Sequence, residues 1–194
     1  RRQRQMCIRH RAARPPVCDL GWKAPDFSLI GVAGKTHTLD ELKGPKGTLV
    51  AFICNHCPYV IAVIDRIVRD ARDLEALGVS TVAICSNDAT THPDDSFDNM
   101  KTFASRHGFT FPYLHDESQD VAHAYEAMCT PDFFGFNADL ELQYRGRLDA
   151  SDRDPAGPDV RRELFEAMKM IAETGQGPKD QTASIGCSIK WKAA

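Results

Sequence analysis

The sequence predicts an α/β domain built on a parallel strand–helix–strand crossover, and three observations predict it. Leu49 to Ile53 is an unbroken apolar run, and Val79 to Cys85 reads as a second strand buried on both faces. Between them Val60, Val63, Ile64, Ile67, Val68, Ala71, Leu74 and Leu77 recur at helical spacing. A hairpin and an amphipathic helix follow later in the chain. Buried strands joined by one long helix imply a right-handed crossover.

The elements run in this order. Pro25 to Leu39 reads as a short hairpin, with Phe27, Leu29 and Ile30 leading into Gly31-Val32-Ala33-Gly34 and Thr36-His37-Thr38 returning. Thr38 to Leu42 suits a single helical turn. The long helix begins at Pro58, whose missing N–H is no loss in a first turn, and closes near Gly78, where a left-handed cap fits. Its other face carries Asp65, Arg66, Arg69, Asp70, Arg72 and Asp73. His92-Pro93-Asp94-Asp95 reads as the start of a helix with acids in its first turn, running to Arg106 and stopping at Gly108. Phe109 to His115 is extended, and another helix lies near Gln119–Ala127. Phe133–Phe136 and Leu140–Tyr144 form a hairpin across Asn137-Ala138-Asp139. Val160 to Thr174 is the last helix, with Leu164, Phe165, Met168 and Ile171 on one face, and Gly175 to Ala194 is a tail with an apolar end.

This order is the thioredoxin architecture, with an N-terminal hairpin extension, an inserted helix and a C-terminal tail. Residues 19–192 are expected to form one domain, which the length of 194 residues suits. Residues 1–18 carry Arg1, Arg2, Arg4, Arg9, Arg11 and Arg14 before the first acid, Asp19, and are expected to be a disordered or non-native tail. Apolar residues make up 42% and charged residues 26%, as in a soluble globular protein. A net charge of −3 gives no reason to expect nucleic acid, and no stretch approaches the ~20 apolar residues of a membrane span. The cysteine count of 7 is odd, which argues against a secreted disulfide framework, and no apolar segment of signal type follows the basic start. The expectation is a reducing, cytoplasmic compartment.

The chemistry centres on Cys54-Asn55-His56-Cys57. The motif lies where the first buried strand meets the helix that begins at Pro58. Free N–H groups and the helix dipole there favour a thiolate, and two intervening residues let the pair close a disulfide. Such a redox-active disulfide needs no other cofactor, and no metal is expected. His56, when protonated, stabilises the thiolate and makes the pair more oxidising. With Pro58 as first helical residue, Cys57 is the N-cap and the favoured attacking thiol over Cys54. Cys129-Thr130-Pro131 precedes the hairpin. In a thioredoxin-like fold this proline is cis, lies against the CxxC and presents backbone for substrate pairing, so Thr130 and Pro131 are expected to face substrate.

Gly21-Trp22-Lys23-Ala24-Pro25-Asp26-Phe27-Ser28-Leu29, Phe52-Ile53-Cys54-Asn55-His56-Cys57-Pro58-Tyr59-Val60, Phe111-Pro112-Tyr113-Leu114, Tyr144-Arg145-Gly146-Arg147 and Ile185-Gly186-Cys187-Ser188-Ile189-Lys190-Trp191 together resemble the redoxin branch of the thioredoxin superfamily. This is the branch described as alkyl hydroperoxide reductase/thiol-specific antioxidant-like, and the resemblance covers about residues 20–192. It implies either thiol–disulfide exchange or a peroxidase. Peroxiredoxins carry P-x-x-x-T-x-x-C followed by Pro; laid on Cys57-Pro58, the Pro position falls on Val50 and the Thr position on Cys54. Their peroxide-holding arginine would fall near Pro131. These departures favour a thiol–disulfide oxidoreductase using Cys54/Cys57 on protein or low-molecular-weight disulfides over a thiol peroxidase. A third alternative is a non-enzymatic metal protein in which Cys54, His56, Cys57 and Cys187 hold zinc or copper(I). Cys85 reads as an inert core thiol and Cys129 as a packed neighbour of the proline. Cys187 is a candidate third thiol, although the CxxC already contains its own partner, and the expectation leans to a tail packed away from the motif.

Overall fold

The structure, a computed structural model, describes residues 12–13, 20–157 and 159–193. In chain order its strands are β1 (Ala12–Ala13), β2 (Ser28–Gly31), β3 (Thr36–Thr38), β4 (Gly47–Phe52), β5 (Val79–Cys85), β6 (Tyr113–His115), β7 (Cys129–Thr130), β8 (Asp132–Asn137), β9 (Leu142–Tyr144) and β10 (Gly186–Ser188). The helices are α1 (Leu39–Leu42), α2 (Pro58–Glu75), α3 (Phe97–Arg106), α4 (Asp120–Ala124) and α5 (Glu163–Thr174).

Among the described residues, β3-β2-β6-β5-β4-β8-β9 form a seven-stranded sheet and β1-β10-β7 a three-stranded one. β4 runs parallel to β5, from Gly47↔Val79 to Phe52↔Ile84, and antiparallel to β8. The apolar run in β4 has both faces covered. Leu49, Ala51 and Ile53 join the cluster containing α2 and α5, while Val50 and Phe52 join the one containing Tyr125, Phe134 and Phe136. Each fully buried Leu, Ile, Val or Phe side chain among these contributes about 1.5–3 kcal/mol.

The α2 stripe packs as its spacing predicts, with Val60, Val63, Ile64, Ile67, Val68, Ala71 and Leu74 buried. The helix gives way to a turn in which the Gly78 N–H reaches the Glu75 carbonyl at 3.0 Å with φ at +81°. Asp70 departs from its expected place on the solvent face. It is buried, and its carboxylate meets Arg69 at 2.8 Å and Arg162 at 2.6 Å. Burial still holds its pKa above the usual carboxylate value.

Two boundaries differ from expectation, and so does the packing of the tail. Pro93–Asp95 is a separate 3₁₀ turn, and α3 starts after Ser96, whose hydroxyl accepts the Asn99 N–H. The last helix begins at Glu163 rather than Val160. The tail does not pack on a distant face: its β10 segment pairs antiparallel with β7, Cys187 opposite Thr130. Of the expected N-terminal tail, Ala12–Ala13 is corrected to a short strand on the other edge of β10, Ala12 opposite Cys187. The rest of residues 1–18 lies outside the described residues.

Candidate active site

The site forms where β4 hands over to α2. Cys57 is the N-cap of α2, with Pro58 in the first turn. Cys54 and Cys57 face Thr130 across the fold, and the Thr130–Pro131 peptide is cis. Cys54 Sγ lies 3.3 Å from the Thr130 hydroxyl, and as a thiol Cys57 donates to the Thr130 carbonyl at 3.1 Å. Cys187 completes the group from β10, opposite Thr130. All three thiols are reduced, and they are at most 1% exposed.

The two motif cysteines are held at opposite ends of the thiol range. Cys57 is pulled well below it by hydrogen bonds from the Cys187 and Cys54 thiols, against burial, with the Val60 N–H and Thr130 adding to the pull. The Val60 N–H belongs to the first turn of α2, where backbone donors lack helical partners. Cys54 is pushed up by burial first, then by its hydrogen bond to Cys57 and by the charge of Asp95. Cys57 is thereby the more acidic sulfur of the pair and Cys54 the less acidic.

His56 does not act on Cys57 as its main donor. Its Nδ1 lies 2.7 Å from Asp95 Oδ2, and that contact raises its pKa above 6.5 against the opposing effect of burial. His92 stacks on it at 5.3 Å, with its own pKa lowered by burial. Asp95 is fully buried and organises the whole motif. Its Oδ1 accepts the Asn55 N–H at 2.7 Å, and its Oδ2 accepts Asn87 Nδ2 at 2.8 Å. Asn55 is held further by Tyr113, whose hydroxyl donates to Asn55 Oδ1 at 3.0 Å.

Sequence reasoning missed Asp95, Asn87 and Tyr113. Asp95 read as a first-turn acid because it follows Pro93 in a polar stretch, and nothing local marks it as buried. Cys54, His56 and Asp95 place donor atoms within 4.8 Å of one another. The wider set of the metal alternative, Cys54, His56, Cys57 and Cys187, does not come together as one ligand group, and the three-residue set is one ligand short of a closed tetrahedral zinc site. The other two cysteines among the described residues, Cys85 and Cys129, are set apart. Cys85 is pushed up to about 12 by burial, and Cys129 donates to the Pro131 carbonyl at 3.5 Å. Arg145, which follows the cis-proline, is buried 3.1 Å from Asp132 and lies over the Phe134 ring at 4.4 Å.

Comparison with known proteins places this geometry. The AhpC/TSA family model matches residues 20–145. No curated protein sequence matches the chain. A crystal structure of an uncharacterized conserved protein from Geobacillus kaustophilus is 45% identical, with a TM-score of 0.89, over 95% of this chain and 98% of that one. A hypothetical protein from Sinorhizobium meliloti 1021 is 38% identical, with a TM-score of 0.88, over 93% of this chain and 99% of that one. A thiol:disulfide interchange protein of the thioredoxin family from Chlorobium tepidum TLS shares the fold at 20% identity, with a TM-score of 0.61, over 80% of this chain and 99% of that one. No helix among the described residues is long and apolar enough to cross a membrane. With a CxxC at a strand–helix junction facing a cis-proline, and a family match across most of its length, the chain belongs to the AhpC/TSA family and has a thioredoxin fold.

Proposed function

We propose that the chain is a thiol–disulfide oxidoreductase working through Cys54 and Cys57 on protein or low-molecular-weight disulfides. The observation that carries this reading is the pair of motif sulfurs set against Thr130 at the start of α2, Cys54 Sγ 3.3 Å from its hydroxyl and Cys57 Sγ 3.1 Å from its carbonyl. The Cys57 thiolate attacks a substrate disulfide, forming a Cys57–substrate bond and releasing one substrate thiolate. Cys54 then gives its proton to the neighbouring His56–Asp95 pair and attacks the Cys57 sulfur. The Cys57–substrate bond breaks, and the second substrate thiolate leaves with that proton. The protein ends oxidised by two electrons as a Cys54–Cys57 disulfide, and the substrate ends as one thiol and one thiolate, which takes its proton from water.

A peroxidase reading finds less support. The positions that peroxiredoxins fill with Pro and Thr hold Val50, buried in β4, and Cys54, a partner thiol. The deciding experiment runs glutathione disulfide reduction and hydroperoxide turnover on the same sample. Disulfide turnover that disappears in Cys57→Ser is the expected result. Hydroperoxide turnover faster than disulfide turnover would replace this reading with the peroxidase.

A further inference from the structure

The motif sulfurs are buried, and the tail lies beside them. β10 lies in antiparallel register on β7, and the β7 residue opposite Cys187 is Thr130, whose carbonyl and hydroxyl already touch Cys57 and Cys54. A short strand beside a reactive sulfur is the place where an extended peptide adds by backbone pairing. Here the chain's own β10 fills it, and the residue opposite the contact is a cysteine. The fit is close. A Cβ on Gly186 would lie 2.1 Å from the Thr130 carbonyl oxygen, so the strand sits this near only because residue 186 is glycine.

The tail is also pinned beyond β10, which returns it to the same register after any opening. Ile189 N–H donates to the Met128 carbonyl at 3.2 Å, and Lys190 N–H donates to Asn87 Oδ1 at 2.9 Å. Gln119 holds the Lys190 carbonyl and accepts the Lys192 N–H at 2.8 Å. Trp191 stacks on His123 at 4.1 Å. Asn87 bonds Asp95 as well, so one network ties the tail to His56.

We propose that β10 is a built-in substrate strand, and that Cys187 is a third redox thiol which resolves a mixed disulfide on Cys57 by forming a Cys57–Cys187 disulfide. The step rests on Cys57 being the attacking thiolate, as above. A disulfide RS–SR reacts with Cys57 when β10 lifts, leaving Cys57–S–S–R and one RS⁻. Cys187 loses its proton to solvent while β10 is lifted, and as β10 closes it attacks the Cys57 sulfur. The Cys57–SR bond breaks, and the second RS⁻ leaves and takes up a proton. Two protein thiols are oxidised and one substrate disulfide is reduced. Cys54 can afterwards exchange into the Cys57–Cys187 bond, restoring Cys187 as a thiol.

The test treats the reduced full chain with glutathione disulfide, quenches with acid and alkylating agent, and maps disulfide-linked peptides. In Cys54→Ser, a Cys57–Cys187 crosslink should accumulate with release of both glutathione halves, while Cys54→Ser/Cys187→Ser should hold one glutathione on Cys57. Adding Gly186→Ala to Cys54→Ser should displace β10, so that the glutathione adduct forms several-fold faster and the Cys57–Cys187 yield drops. A Cys54→Ser protein that stops at the glutathione adduct, while wild type closes Cys54–Cys57, overturns the Cys187 step and leaves the function standing. A Cys57–Cys187 yield unaffected by Gly186→Ala overturns the role given to the strand. A wild type that forms no disulfide at Cys57 overturns the function itself, and the Cys187 step falls with it.

Discussion

The cysteines of the described residues fall into two groups that burial does not separate. Cys54, Cys57, Cys85, Cys129 and Cys187 are all buried and all reduced. Cys85, at the end of β5, and Cys129, in β7, are held above the ordinary thiol range mainly by burial. Cys85 even has a donor, the Asn87 N–H, and burial outweighs it. Cys57 has the free end of a helix, two thiols and Thr130, and there the donors outweigh burial. A buried sulfur is therefore inert by default, and it becomes a thiolate only where several donors converge on it.

The comparison breaks most sharply by mutation. Cys57→Ser should cost on the order of a thousandfold or more in disulfide turnover, because the covalent nucleophile is gone. Near-normal turnover in that variant would mean that the convergence of donors has no chemical use. Asp95→Asn should lower kcat/KM by about tenfold, the smaller end of what losing a group that orients a catalytic side chain costs. The asparagine keeps the shape, so an unchanged rate would remove Asp95 from the mechanism.

His56 sharpens the comparison through pH. Its folded pKa stands above the unfolded value of about 6.5. The stability it adds is therefore fully present below about pH 6.5 and lost as pH rises through the folded pKa. The stability of wild type minus that of His56→Asn, taken from urea midpoints between about pH 5 and 8, should shrink as pH rises. A difference that grows with pH would show that Asp95 does not hold the proton on His56. The smallest effect belongs to the inert group. Cys85→Ala should cost about 1 kcal/mol of stability and leave turnover within about twofold. A large loss of turnover there would erase the division between the groups.

Much of this was legible in the chain. The α2 stripe and the apolar run in β4 announce themselves because packing on a sheet imposes a period that local sequence must carry. Cys57 at the N-cap was legible for a similar reason, since Pro58 marks a first helical turn. The helix start near His92 was misread because acids after a proline look the same whether they cap a helix or turn inward. Asp70 was misread on α2 because its partner Arg162 lies 92 residues along the chain.

The strand–helix–strand crossover and the CxxC at a helix start could be read from the chain because each depends on neighbours within a few residues, and the proline opposite the motif followed from the fold type that those elements imply. Only the tertiary structure decided what surrounds those sulfurs. Asp95 joins Asn55, His56 and Asn87 across 40, 39 and 8 residues. Cys187 reaches Cys57 only because β10 folds back onto β7. The physical reason is that a thiol's ionisation is set by whatever donors and charges lie within a few ångströms of it, and the fold brings those from segments whose local sequence carries no trace of the meeting.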